Sequence, residues 1–208
     1  MEKIYSEYNV RGQFKRYTSF DRIESHDDAY LIGYLACDGG YVVNGGFPFM
    51  MVSSTQPKII EHFQQTYCPD ATIYNSGQKS SEKVNATNDV WELRFPAKMA
   101  KTFNRFGVFN YKLNRRVVGI PNKFFGGYIR GVIDADGFIT VTHRKDCRTP
   151  RIRFFITHQS ELYLADIQDK LSELYGLPTT LRQHGENVWR LQAQNTEQNK
   201  KFLSEIFS

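Results

Sequence analysis

Cysteine is scarce in this chain. Three cysteines, Cys37, Cys68 and Cys147, lie far apart among 208 residues and form no CxxC pair. An odd, scattered set excludes a disulfide framework and a zinc ribbon, and it fits reduced intracellular thiols. Long apolar runs are missing too, and nothing approaches the roughly 20 residues of a membrane span, so no membrane partner is expected. The N-terminal stretch MEKIYSEYNVRGQFKRYTSF mixes Glu with Lys and Arg and has no apolar centre, unlike a signal peptide. Histidines are few and dispersed (His26, His62, His143, His158, His184), so no histidine cluster is available for metal-dependent nuclease chemistry of the HNH kind. What is present is ordinary for a globular protein: 40% hydrophobic and 24% charged residues, on a chain long enough for one or two domains. Basic residues outnumber acidic ones, 27 to 22, and the resulting +5 charge points mildly to a polyanionic partner.

The chain repeats itself. Aligning Asp38 with Asp136 sets an offset of 98, which also places Gly33 on Gly131 and Gly39 on Gly137. The same offset places VWELRF (90–95) on VWRLQA (188–193), so the two tryptophans, Trp91 and Trp189, coincide. A long repeat present twice is the mark of a duplicated domain and not of a solenoid. Each half begins with an apolar helix, opened by Ser25–Asp28 as a capping box or by Pro121-Asn122. A hairpin follows, turning at NGG (44–46) in the first half and through the longer basic loop HRKDCRTPR (143–151) in the second. Then come an amphipathic helix (56–67; 160–177), a second hairpin ending in the Trp strand, and a short helix (about 97–106; 195–206). The expected class is α+β: two αββαββα repeats, each an antiparallel sheet backed by helices. Residues 1–24 read as an N-terminal extension, 25–106 as repeat one, 107–123 as a linker and 124–208 as repeat two.

Strand alternation separates two faces. Ile152, Phe154 and Ile156 alternate with Arg151, Arg153 and Phe155, and Trp189, Leu191 and Ala193 alternate with Arg190, Gln192 and Gln194. One face packs on helices and the other carries Arg and Gln, either as a solvated face or as a binding face. In both apolar helices small residues recur at i and i+4, Gly33 with Cys37 and Gly131 with Ala135. Such a stripe lets another backbone approach closely. Helix glycine costs about 1 kcal/mol, which argues for a packing purpose: the two helices meet about a pseudo-two-fold axis. Each then ends in an acid, Asp38 or Asp136, at the negative end of its own dipole. Two carboxylates so placed repel one another unless a divalent cation binds them. Cation-bound carboxylates beside a basic sheet are suited to phosphodiester hydrolysis.

LIGYLACDG (31–39) and IRGVIDADG (129–137) resemble the two copies of the motif that names the LAGLIDADG homing endonucleases, the second matching at six of nine positions. With the element order, the resemblance covers about residues 25–206. It implies a monomeric, single-chain enzyme with its motif helices at a central interface. It also implies two saddle-shaped sheets that follow the major groove of double-stranded DNA along a long asymmetric site. Asp38 and Asp136 match the family's metal ligands, with Mg²⁺ as the cofactor and Mn²⁺ or Ca²⁺ as substitutes for binding. Each strand is expected to be cut to 5′-phosphate and 3′-hydroxyl ends. Ser54 and His158 are the expected auxiliary residues, with Lys98, Arg94 and Gln192 or Gln194 as looser candidates. The expected DNA face comprises Thr140, Thr142, Arg144, Arg151, Arg153, Arg182, His184, Arg190 and Gln192 in the second half. In the first half it comprises Val42, Asn44, Tyr74, Ser76, Glu92 and Arg94. Arg and Gln suit bidentate reading of guanine and adenine, whereas Lys145 and Arg148 at the hairpin tip suit phosphate. One departure stands out: Ala36 occupies the place of Asp134, an acid that is not a metal ligand in the family. The alternatives on the same scaffold are a maturase acting on host intron RNA and a DNA-binding protein that does not cut. The absence of a targeting signal implies an intracellular protein, encoded by a bacterium, a phage or an organelle.

Overall fold

The computed structural model describes residues 4–8, 14–18, 20–44, 47–75, 89–108, 112–143, 150–194 and 196–207. The chain opens with an antiparallel pair, β1 (Ile4–Tyr8) and β2 (Phe14–Thr18). Residues 1–24, expected as an N-terminal extension, include this strand pair; five-residue strands carry little periodic signal. Helix α1 (His26–Asp38) runs directly into β3 (Gly39–Asn44), followed by β4 (Phe47–Ser54), α2 (Pro57–Tyr67), β5 (Ile73–Asn75), β6 (Trp91–Phe95) and α3 (Ala97–Asn104). The second half repeats this order: α4 (Phe125–Asp136), β7 (Gly137–Thr142), β8 (Arg151–His158), α5 (Glu161–Tyr175), β9 (Thr179–Gly185), β10 (Val188–Ala193) and α6 (Thr196–Ile206). Each half forms a four-stranded antiparallel sheet, ordered β3-β4-β6-β5 and β7-β8-β10-β9. The expected α+β class and the duplicated order are therefore observed.

The chain groups into two compact units, and the grouping cuts across the repeat. The described residues up to Arg22 join Asp38–Phe103, while Ile23–Cys37 join Asn104–Ser208. Thus α1, up to Cys37, belongs with the second unit.

In the first unit the covered sheet face presents Met50, Val52, Leu93 and Phe95, all buried, and the facing helices contribute Ile60, Phe63, Tyr67, Met99 and Phe103. Phe20 closes this core, edge-on to Tyr67 at 5.9 Å and Phe103 at 5.3 Å. In the second unit Phe154, Ile156, Leu191 and Ala193 are covered by Tyr163, Leu164, Ile167 and Leu171 of α5 and Phe202 of α6. Asn199, fully buried on α6, donates through Nδ2 to the carbonyls of Ile152 (2.8 Å) and Ala193 (3.0 Å), which ties the helix to the sheet. The segment expected to be a linker is anchored to α5. Arg116 grips Asp166 with two 2.7 Å hydrogen bonds, and Val117 N donates to the same carboxylate at 2.9 Å.

Local chemistry explains the helix ends. Ser25 Oγ accepts from Asp28 N and Asp28 Oδ2 accepts from Ser25 N, each at 3.0 Å, so the expected capping box forms with Asp in place of Glu. Helix α5 starts on Ser160, whose Oγ accepts from Tyr163 N at 3.2 Å. It stops at Gly176, whose φ of 59° permits the left-handed turn that returns Leu177 N to Leu171 O.

Candidate nucleic-acid interface

The stripe of small residues is where α1 and α4 meet. A Cβ added at Gly33 would sit 2.0 Å from the carbonyl oxygen of Tyr128, and one at Gly131 would sit 2.2 Å from that of Tyr30. Tyr30 and Tyr128 are themselves repeat equivalents, so the two contacts are one contact taken twice across a pseudo-two-fold axis. Gly127 adds a third approach, with its added Cβ 2.2 Å from the carbonyl oxygen of His26. The contacts climb both helices together, His26 with Gly127 and then Tyr30 with Gly131, so α1 and α4 run in the same direction. Cys37 and Asp136 therefore lie toward the same end of the pair, and Asp38 follows Cys37 as the last residue of α1.

Asp136, half-buried, ends α4, and β7 begins at the next residue. That junction requires Gly137: a Cβ there would meet the Ile133 Cα at 2.6 Å and its carbonyl oxygen at 2.8 Å. Thr157 Oγ1 donates a long 3.5 Å bond to the Asp136 carbonyl, holding the helix end against β8. Asp134 has a different occupation. It accepts from Tyr30 OH at 3.1 Å and lies 3.9 Å from Arg130 Nε, so it links α4 to α1. Burial pushes its carboxyl above the usual range, against the lowering effects of the Tyr30 hydrogen bond and Arg130. The Tyr30 hydroxyl is raised as well, by burial first and by the Asp134 charge second. In the first repeat Ala36, 2% exposed, offers no acceptor, and Tyr128 instead donates to Tyr163 at 2.9 Å.

Cross-strand register then decides which side chains share the face opposite the helices. Phe138 pairs with Phe155, Thr140 with Arg153 and Thr142 with Arg151. Arg190 pairs with Thr157 and with Arg182, and Gln192 with Phe155 and Thr180. Among the described strand residues of this face none is acidic. Arg182 Nη2 donates to Gln192 Oε1 at 3.1 Å, and Arg190 Nη2 donates to His184 Nε2 at 2.5 Å. A guanidinium can only donate, so His184 must present its unprotonated nitrogen there. In the first unit the corresponding face carries Met51, Ser53, Tyr74, Glu92 and Arg94. Arg94 lies over Phe49 (5.2 Å) and Tyr74 (4.9 Å). Among the described strand residues this face holds one acid and one base, so the described face of the second unit is the more strongly basic.

The other expected site residues take the following places. His158 is 6% exposed and lies on the helix-covered face, because β8 runs through it and Ile156 already faces the helices. Its Nδ1 accepts from Ser160 N at 2.9 Å, and its ring packs 4.6 Å from Tyr163. Ser54 does the same in the first repeat, its Oγ accepting from Gln56 N at 3.1 Å. Both residues lead into the following helix, and one position before His158 the Thr157 side chain is bonded to the Asp136 carbonyl. Gln192 is 5% exposed and serves to hold Arg182, and Lys98 lies exposed on α3. Thr142, Arg151 and Arg182 are exposed, and Thr140, Arg153 and Arg190 are half-exposed. Asn44 closes β3 opposite Phe47. Ser76, Arg144, Lys145 and Arg148 fall outside the described residues.

Residues 124–206 match the model of the LAGLIDADG-like domain. This segment is a LAGLIDADG-like domain. The family read from the motif is thereby borne out, and three solved structures extend the LAGLIDADG fold over both halves. The homing endonuclease I-WcaI, bound to its DNA recognition sequence, shares 12% identity at a TM-score of 0.58, over 90% of this chain and 82% of that one. An I-DmoI variant, in complex with its target DNA in the presence of magnesium, shares 15% at a TM-score of 0.53, over 88% and 96%. The N-terminal LAGLIDADG domain of DUF199/WhiA shares 12% at 0.55, over 88% and 82%. No curated protein matches the sequence.

Proposed function

We propose that this LAGLIDADG protein is a site-specific endonuclease that makes a metal-dependent double-strand break in a long DNA target. The observation that carries the reading is the reciprocal glycine contact of α1 and α4, two helices that each end in an acid where a sheet strand begins. Backbones are brought this close only by glycine, at a cost in helix stability, and the arrangement supports one carboxylate per repeat acting together.

The donor set suits a hard divalent cation. Mg²⁺ is held through one or two carboxylates plus phosphate oxygens and water, without an all-protein cage. Among the described residues no group of three or more His, Cys, Asp or Glu side chains forms such a cage. Asp38 and Asp136 would hold the cation, and when bound it would neutralise charge developing at the scissile phosphate. The chain's own residues do the rest. Thr157 steadies the end of α4, the arginines of the second sheet face position the phosphate backbone, and Arg182, held by Gln192, presents an oriented guanidinium to base edges.

Replacing Asp136 with Asn should abolish cleavage of a duplex selected from a randomised library while leaving binding within a few-fold of wild type. Unchanged cutting by that variant would sink the assignment. A DNA-binding protein that does not cut is the second reading. It is favoured by one observation: Ser54 and His158 each accept a backbone hydrogen bond at the lead into the next helix, and the side chain bonded to the end of α4 is the hydroxyl of Thr157. Selected duplex that is bound tightly with Mg²⁺ and never cut would decide for it.

A further inference from the structure

The face described above is polar and basic except at one place. Phe138, the first outward side chain after Asp136 and Gly137, is 44% exposed amid Thr and Arg. Its ring is held. It stacks on Phe155 with centroids 4.7 Å apart and planes 17° from parallel, and Phe155 is 8% exposed. The Arg190 guanidinium lies 5.9 Å from the Phe138 ring and 5.5 Å from the Phe155 ring, and His184 fixes that guanidinium in turn. The result is a rigid apolar spot two residues beyond a motif acid. The equivalent residue in the first repeat is Gly40, opposite Met51, so the spot belongs to one half only.

Resting on the DNA-binding reading above, we propose that Phe138 is a specificity-determining residue that selects thymine at the base pair nearest the cut in the second half-site. In the major groove the C5-methyl of thymine is the apolar feature of the base-pair edges, and Phe is among the side chains that contact it. A wedge driven between base pairs is a different use of Phe. Here the ring would have to leave its stack on Phe155 to act that way, so edge contact suits the geometry. Losing one buried methyl group corresponds to roughly three- to fivefold in affinity, from about 0.8 kcal/mol per methylene.

The test uses the full chain and a duplex recovered from a randomised library in Ca²⁺, together with the same duplex carrying deoxyuridine for each thymine in turn. Wild type should lose about three- to fivefold in affinity at one or two adjacent positions of a single half-site. Phe138→Ala should bind thymine and uracil versions equally there, and Phe138→Leu should keep part of the preference. Uracil tolerated by wild type at every position would overturn the proposal, as would thymine dependence that persists in Phe138→Ala. If wild type enriches no duplex at all, the DNA-binding reading fails and the proposal falls with it. If it enriches a duplex indifferent to uracil, the proposal alone fails.

Discussion

Replacing Gly33 with Ala tests the helix pair directly. The new methyl would lie 2.0 Å from the Tyr128 carbonyl oxygen, 2.9 Å from its carbon and 3.2 Å from its Cα, where ordinary contact begins at 3.4 Å. The obstacle is buried helix backbone, which has no rotamer to change, so α4 must retreat by more than 1 Å. Alanine returns about 1 kcal/mol of helix propensity. Against that stands overpacking of 1–3 kcal/mol or more, here at its upper end because two helices must part along their shared stripe. A net loss of about 2–3 kcal/mol lowers Tm by roughly 4–12 °C in a chain of this size. Thermal and urea unfolding would measure it, with Gly185→Ala as control. At Gly185 the nearest atom is the Val188 Cβ at 3.9 Å, and no loss of Tm is expected. Gly33→Ala and Gly131→Ala should combine to less than the sum of their separate losses, since either one already opens the gap. A Gly33→Ala protein as stable as wild type would refute the close-packing argument.

Asp134 has a folded-state pKa above its unfolded value, so the stability it contributes is fully present below the unfolded value near pH 4 and is lost as pH rises through the folded one. Asp134→Asn keeps an acceptor for Tyr30 and removes that loss. Its Tm relative to wild type should climb between pH 4 and 7, and a flat difference would contradict the burial account. His158→Ala should cost about 2–4 kcal/mol of stability, through the buried ring lost against Tyr163 and the acceptor lost to Ser160 N. Cleavage abolished in a fully stable His158→Ala protein would show that the residue acts on substrate after all. Binding to duplex DNA should weaken steeply with salt, and Arg153→Ala should flatten the log–log slope by about 0.9, the release expected for one phosphate contact. An unchanged slope would remove Arg153 from the interface.

The sequence by itself determined the duplication, the order of elements and the contact between motif helices. These rest on local rules: a capping box that uses only residues 25–28, small residues four apart on one helix face, and alternation with period two. It also separated Asp134 from Asp136, because the first repeat carries Ala36 in place of the former and keeps Asp38 in place of the latter. Register was less legible. Ser54 and His158, expected beside the motif acids, each accept a backbone hydrogen bond at a helix lead, and Thr157 is bonded to the end of α4. In a strand a shift of one residue exchanges the faces, and only cross-strand pairing shows where the strand stops. The N-terminal hairpin lacked any periodic signal. Tertiary structure alone decided that α1 groups with the second unit, that Gln192 is buried beneath Arg182, and that Phe138 and Phe155 stack under Arg190. Each of these joins residues distant in the chain, and their distances depend on how strands and helices pack, which spacing along one segment does not record.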